Sequence, residues 1–277
     1  MKTRLIVSGG DEIRELAAEG RRIRLEGAGA LLSACGQLYA ASSWANMIWR
    51  LDPGTLVPTG LFAGGPGVRQ MMTSCDGKRL YVLCEEADSV LMLDAQDGSP
   101  LYINRAGVNP QAMAMDETGR IMAVAGGASG EIMLMDSETL NVTARYDTRG
   151  MAFAVLLWGN RVYALSLDET LNTMFSAFGP GGWRNMIRLP GMPGTLSVLG
   201  GQIAAATHEG VFFLGLDGAH VTGRTGVQGR AGRLFETADG VVMRDIWTDT
   251  LLISENNRRW IRLAEGVADA VAIFDHA

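Results

Sequence analysis

Short apolar runs recur along the chain, each opened by a tight turn and closed by another within 8 to 12 residues. One of them follows the turn Asp76-Gly77-Lys78-Arg79 and reads Leu80-Tyr81-Val82-Leu83. No stretch between the turns sustains a 3.6-residue apolar period, so the pattern predicts antiparallel β-structure throughout. The same phrase returns as Gly36-Gln37-Leu38-Tyr39, Gly119-Arg120-Ile121-Met122, Gly159-Asn160-Arg161-Val162-Tyr163 and Gly201-Gln202-Ile203-Ala204. Its last positions fall at 39, 81, 122, 163 and 204, at intervals of 42, 41, 41 and 41. A second anchor follows about a dozen residues later, where an apolar run ends in Asp52, Asp94, Asp136 or Asp217; Phe178 and Ser254 occupy that place in two further copies. Each copy ends in a glycine-bearing loop. Four short strands in a repeat of about 40 residues is the signature of a propeller blade.

Six complete copies begin near residues 30, 68, 108, 151, 192 and 228. Residues 267–275 supply one more innermost-type strand, and residues 3–8, 12–17 and 22–26 supply three strands that lack an innermost partner. Joining them gives a seventh blade and removes two exposed sheet edges. The expected fold is therefore all-β, a single seven-bladed propeller of four-stranded antiparallel blades. Its blades span residues 30–67, 68–107, 108–150, 151–191, 192–227 and 228–266, with 267–277 and 1–29 combined in the last. The competing arrangement is six blades with a separate N-terminal hairpin. The terminal aspartates precede Pro-Gly, Asp-Gly or Ser-Glu turns, where an aspartate bonds backbone two residues on, so they are expected to be structural and to lie opposite the ligand loops.

The stretch Val108-Asn109-Pro110-Gln111-Ala112-Met113-Ala114-Met115-Asp116, and the run Asp76-Gly77-Lys78-Arg79-Leu80-Tyr81-Val82 followed by Asp88-Ser89-Val90-Leu91-Met92-Leu93-Asp94, resemble the blade phrases of YVTN or YncE-like propellers. The likeness is close in blades two and three, tolerable in blade one and faint in blades four to six. It implies the seven-bladed fold in the neighbourhood of cytochrome cd1-like, amine-dehydrogenase-like and lactonase-like propellers, whose members bind diverse ligands. A WD40 propeller is disfavoured, since no Trp-Asp pair ends a strand and no Gly-His pair opens a blade.

Composition narrows the function classes. Net charge is −6, and only Lys2 and Lys78 of the 24 basic residues are lysine, which argues against nucleic acid. The N-terminal apolar run, Leu5-Ile6-Val7, is far shorter than a signal h-region. The two uncharged stretches, 30–49 and 189–207, are broken by glycine, proline or polar residues. The expectation is a cytoplasmic monomer that touches neither membrane nor nucleic acid. Cys35, Cys75 and Cys84 are odd in number and lack a C-x-x-C spacing, so reduced, buried thiols are expected.

In a propeller the loops from strand D to the next strand A, and from B to C, share one face around the central channel. The D–A loops bring Arg69 and Gln70, Asn109 and Gln111, Arg149, Thr195, Arg230 and Asp269. The B–C turns bring His208, and six of the seven carry a carboxylate, among them Glu85, Glu86, Glu131, Asp168, Glu209 and Asp249. Polar turns are the ordinary surface reading. The functional reading is a pocket for an anionic or polyhydroxylated ligand, with Arg69, Arg149 and Arg230 forking onto it and Gln111, Asn109, Asp269 and His208 beside them. Catalytic schemes find little material. Of His208, His220 and His276, only His208 is placed to ligate a haem, no G-x-S-x-G stretch occurs, and the blade-three methionines alternate as core. The sequence predicts no cofactor and no metal, and a non-enzymatic ligand- or partner-binding protein. The alternative is a lactonase or hydrolase acting at the same channel mouth.

Overall fold

The structure, a computed structural model, describes residues 2–179, 184–226, 229–255 and 259–275. The strands form seven four-stranded antiparallel sheets arranged as the blades of a ring. Blade one, for example, comprises Ala28–Ala34, Gln37–Ser42, Met47–Leu51 and Pro58–Ala63. No helix is present among the described residues, and none therefore is long and apolar enough to cross a membrane. Residues 227 and 228, at the expected junction of blades five and six, and His276 lie outside the described residues.

The apolar phrase repeated at intervals of 41 or 42 is the second strand of each blade. Gln37–Ser42, Arg79–Cys84 and Gln202–Thr207 are buried at every position after the first, because neighbouring sheets cover both faces. That is why these strands read as continuous apolar runs instead of alternating ones. The outermost strand, such as Pro100–Arg105, lies almost wholly in solvent. Buried side chains group into seven clusters, one at each interface between neighbouring blades. Met113, Met122, Met133 and Met135 all belong to the cluster between blades two and three. Tyr81 and Tyr163 are fully buried, yet each phenol donates to a carbonyl of the next blade, Ser137 O at 2.8 Å and Leu216 O at 2.7 Å. Such bonds satisfy the hydroxyl and lock adjacent blades in register.

The ring closes as an antiparallel pairing of Asp269–Asp275 with Lys2–Gly9, from Ser8 opposite Asp269 to Lys2 opposite Asp275. Glu12–Glu15 and Arg22–Arg24 complete this seventh sheet, which excludes the six-bladed arrangement. The strand-terminal aspartates serve their own turns. Oδ1 of Asp52, Asp94, Asp136 and Asp217 accepts a backbone N–H from Thr55, Gln96, Glu138 and Ala219 respectively. The thiols depart from expectation in part. Cys84 is buried, but Cys35 and Cys75 are exposed, because they sit in the turns between the first and second strands of blades one and two.

Candidate functional site

The seven innermost strands enclose a channel of about 750 Å3. Five of them carry a β-bulge at the start of the strand, where the register slips past Gly29, Arg69, Phe153, Gly194-Thr195 and Gly232. A bulge leaves a residue out of the ladder and re-aims it. All of these residues line the channel, so the repeated irregularity is what shapes its mouth. In blades one, five and six the bulge holds glycine and keeps the mouth open. Blades two and four project a guanidinium and an aromatic ring.

Four arginines line the channel, Arg69, Arg230, Arg233 and Arg244, and their partners differ. Arg69 donates through Nε to Gln111 O and through Nη1 to Glu85 Oε2, both at 2.8 Å. The Gln111 amide in turn donates to Glu85 Oε1 at 3.2 Å and to Asn109, whose backbone N–H is held by Asp88 Oδ1 at 2.8 Å. Arg233 donates to Asp269 Oδ2 at 2.7 Å and to Leu31 O at 2.9 Å, and the same carboxylate oxygen receives Leu31 N–H. Asp269 is thus engaged in tying blades six, seven and one together. Arg244 donates to Val267 O at 3.0 Å and to Asp249 Oδ1 at 2.7 Å.

Arg230 stands apart from these. Its Nε donates to Pro193 O at 2.8 Å and its guanidinium lies 5.4 Å from the centroid of the Phe153 ring. No carboxylate among the described residues pairs with it. Burial, and then the charge of Arg69, pull its pKa below the usual arginine value. A half-buried cation whose side-chain partners are a carbonyl and a ring face keeps a charge that no described carboxylate offsets, and such a charge favours an anion.

Of the residues singled out in the sequence, the structure brings Arg69, Asn109, Gln111, Arg230 and Asp269 to the channel. His208 lies on the rim, where Nδ1 accepts Met192 N–H at 2.6 Å and the ring rests 5.2 Å from that of Trp247. Arg149 is not brought there. It occupies a left-handed turn position two residues before its strand, with its N–H on Asp147 Oδ1, and its charge is felt by Arg184 on the outermost strand of blade four. The channel-facing place in that blade belongs to Phe153, four residues later. Arg69 is itself a bulge residue and Arg230 immediately precedes its strand, so the three arginines are not equivalent.

Arg233 and Phe153 are channel residues that the loop-based reading missed, since both belong to the strands proper. An isolated glycine at Gly29, Gly194 or Gly232 inside an apolar strand is the sequence signal that would have revealed the bulges. The rim carboxylates are largely answered from within. Arg145 pairs with Glu131 at 2.6 Å, Arg224 with Glu209 at 3.7 Å and Arg24 with Asp11 at 3.8 Å. Asp168 Oδ1 caps its turn by accepting from Thr170 N and Asn172 N. Among the described residues no group of three or more His, Cys, Asp or Glu side chains is arranged to hold a metal ion.

No protein-family description matches the chain, and no curated protein matches it in sequence. Solved structures do match in fold. A functionally unknown protein from Desulfotomaculum acetoxidans superposes with a TM-score of 0.77 at 13% identity, covering 96% of each chain. A provisionally described 6-phosphogluconolactonase from Bacteroides fragilis superposes with a TM-score of 0.76 at 10% identity, covering 98% of each. BamB from Moraxella catarrhalis gives 0.62 at 15% identity, covering 87% of this chain and 78% of its own. These likenesses establish a seven-bladed propeller with propeller neighbours.

Proposed function

We propose that this protein is a non-enzymatic binding propeller whose channel mouth receives a small anionic ligand between Arg230 and Arg69. The observation that supports it is Arg230, the channel arginine that no described carboxylate neutralises. Bidentate donation from a guanidinium whose Nε is already anchored suits a carboxylate or phosphate group, and a cavity of about 750 Å3 is of ordinary small-ligand size. The test is calorimetric titration with inorganic phosphate and citrate. Saturable binding is expected, weakened at least tenfold by Arg230→Gln with the melting temperature unchanged. Equal binding by wild type and R230Q overturns the assignment.

The alternative, a lactonase or hydrolase at the same mouth, draws on the fold likeness to the provisionally described lactonase. Turnover of a lactone panel by the purified protein, lost in the Glu85→Gln and Glu86→Gln variants, would favour it. We also place the chain among YVTN and YncE-like propellers on the phrases of blades two and three, and as a cytoplasmic monomer. Three cysteines without a disulfide among them suit a reducing compartment, and sedimentation tests the monomer.

A further inference from the structure

The anion site has a neighbour on the rim. Asp245, 2% exposed, ends the second strand of blade six and organises the turn that leads out of it. Its Oδ1 accepts the backbone N–H of Arg230 at 2.8 Å and that of Trp247 at 3.0 Å, and Oδ2 accepts the Thr248 hydroxyl at 2.6 Å. Ile246 N–H donates to Arg230 O at 2.8 Å, and the Ile246 side chain lines the channel. One buried carboxylate therefore fixes the backbone of the unneutralised arginine and, in the same turn, that of a tryptophan 56% exposed. The indole is supported from the side by His208, whose ring is held by the Met192 N–H and tilted 38° to it. With its backbone fastened to a buried carboxylate and its ring resting against His208, an indole this open to solvent is a ready stacking surface, since part of the order it needs is already in place.

We propose that Trp247, backed by His208, forms a second subsite beside Arg230, and that the ligand is an anion carrying a flat-faced ring, its charge on Arg230 and its ring on the indole. The inference rests on the anion site proposed above. Aromatic rings and the C–H face of sugars share this stacking chemistry, and the experiment separates them. Arg230 supplies charge recognition without regard to the ring, while Trp247 supplies the preference for a ring.

The test compares inorganic phosphate, phenyl phosphate and glucose 1-phosphate by calorimetry on the full chain. At least one ring-bearing phosphate is expected to bind about three- to tenfold more tightly than inorganic phosphate, the range a stacking contact supplies. A preference for phenyl phosphate identifies an aromatic ligand, and one for glucose 1-phosphate a sugar. Trp247→Ala is expected to erase the preference while leaving inorganic phosphate binding and the melting temperature unchanged. Arg230→Gln is expected to weaken all three. Equal affinities in the wild type, or a ring preference that survives W247A, overturns the subsite. Failure of inorganic phosphate to bind the wild type instead overturns the anion site itself, so the two failures are distinguishable.

Discussion

Truncation after Gly266 is expected to abolish cooperative folding, although it removes only the last strand of a 277-residue chain. That strand, Asp269–Asp275, is the innermost of blade seven and pairs with Lys2–Gly9 along its whole length. With it and the preceding loop go Val267, Ala270, Val271 and Ile273, all at most 8% exposed. Burial of a valine or isoleucine contributes about 1.5–3 kcal/mol, so the three larger side chains alone represent roughly 5–9 kcal/mol. A domain's entire stability is about 5–15 kcal/mol. Their partners suffer as well, because Ile6 and Val7, at 0% and 1% exposure, lose the cover on one side and the first strand becomes an open edge facing the channel. The assay is soluble yield with thermal unfolding by circular dichroism, with a synthetic peptide of residues 267–277 added in trans to restore the fold. A milder companion is Ile6→Ala, expected to cost about 2–5 kcal/mol and to lower the melting temperature by roughly 4–10 °C. A truncated chain that melts at the same temperature with the same steepness would refute the reasoning, since the closing strand would then contribute nothing to the ring.

Single residues yield further tests. A Cβ at Gly194 would lie 2.6 Å from Ala231 O and 2.9 Å from Ala206 O, whereas one at Gly29 would meet nothing closer than 3.9 Å. Thermal unfolding should therefore show Gly194→Ala destabilised by about 1–3 kcal/mol and Gly29→Ala close to wild type; equal melting temperatures would sink the account of the bulges. The Asp168 carboxyl is held down to about 2, chiefly by the backbone N–H of Asn172 and then by the side chains of Asn172 and Thr170. Because its folded value is depressed, its contribution to stability is complete above the ordinary value of 3.8 and is lost as pH falls through about 2. Carboxyl-carbon NMR titration checks this, and a midpoint near 3.8 contradicts it. Burial pushes the Cys84 thiol up to about 11, and it donates to Gly64 O at 3.2 Å. Ellman's reagent at pH 8 should titrate two thiols in the folded protein, Cys35 and Cys75, and a third only after denaturation; three fast thiols would contradict the burial.

Much of this architecture is legible along the chain. The double-sided burial of each second strand demands an unbroken apolar run, and a run of that kind recurring every 41 or 42 residues declares both the blade and its repeat. The unpaired strands at the two ends announce the shared seventh blade for the same reason, since a three-stranded remnant and a lone core strand each leave edges that only their pairing removes. The strand-terminal aspartates were readable because an Asx turn is a local event, decided within two or three residues.

The site was readable only in outline. Which loops face the channel follows from blade order, and Arg69, Asn109, Gln111, Arg230 and Asp269 do reach it. What each arginine does there depends on groups distant in sequence. Asp269 meets Arg233 across 36 residues and Leu31 across 238, and this turns an apparent ligand residue into a tie between blades. Arg149 and Arg230 look alike as charges before an innermost strand, but a left-handed turn keeps the first out of the channel while the backbone of its counterpart is fastened to buried Asp245. Sequence periodicity reports which face of a strand is dry, because that is a sum over many weak contacts repeated seven times. Which charge is left without a counterion is decided by a few single contacts between blades, and those exist only once the ring has closed.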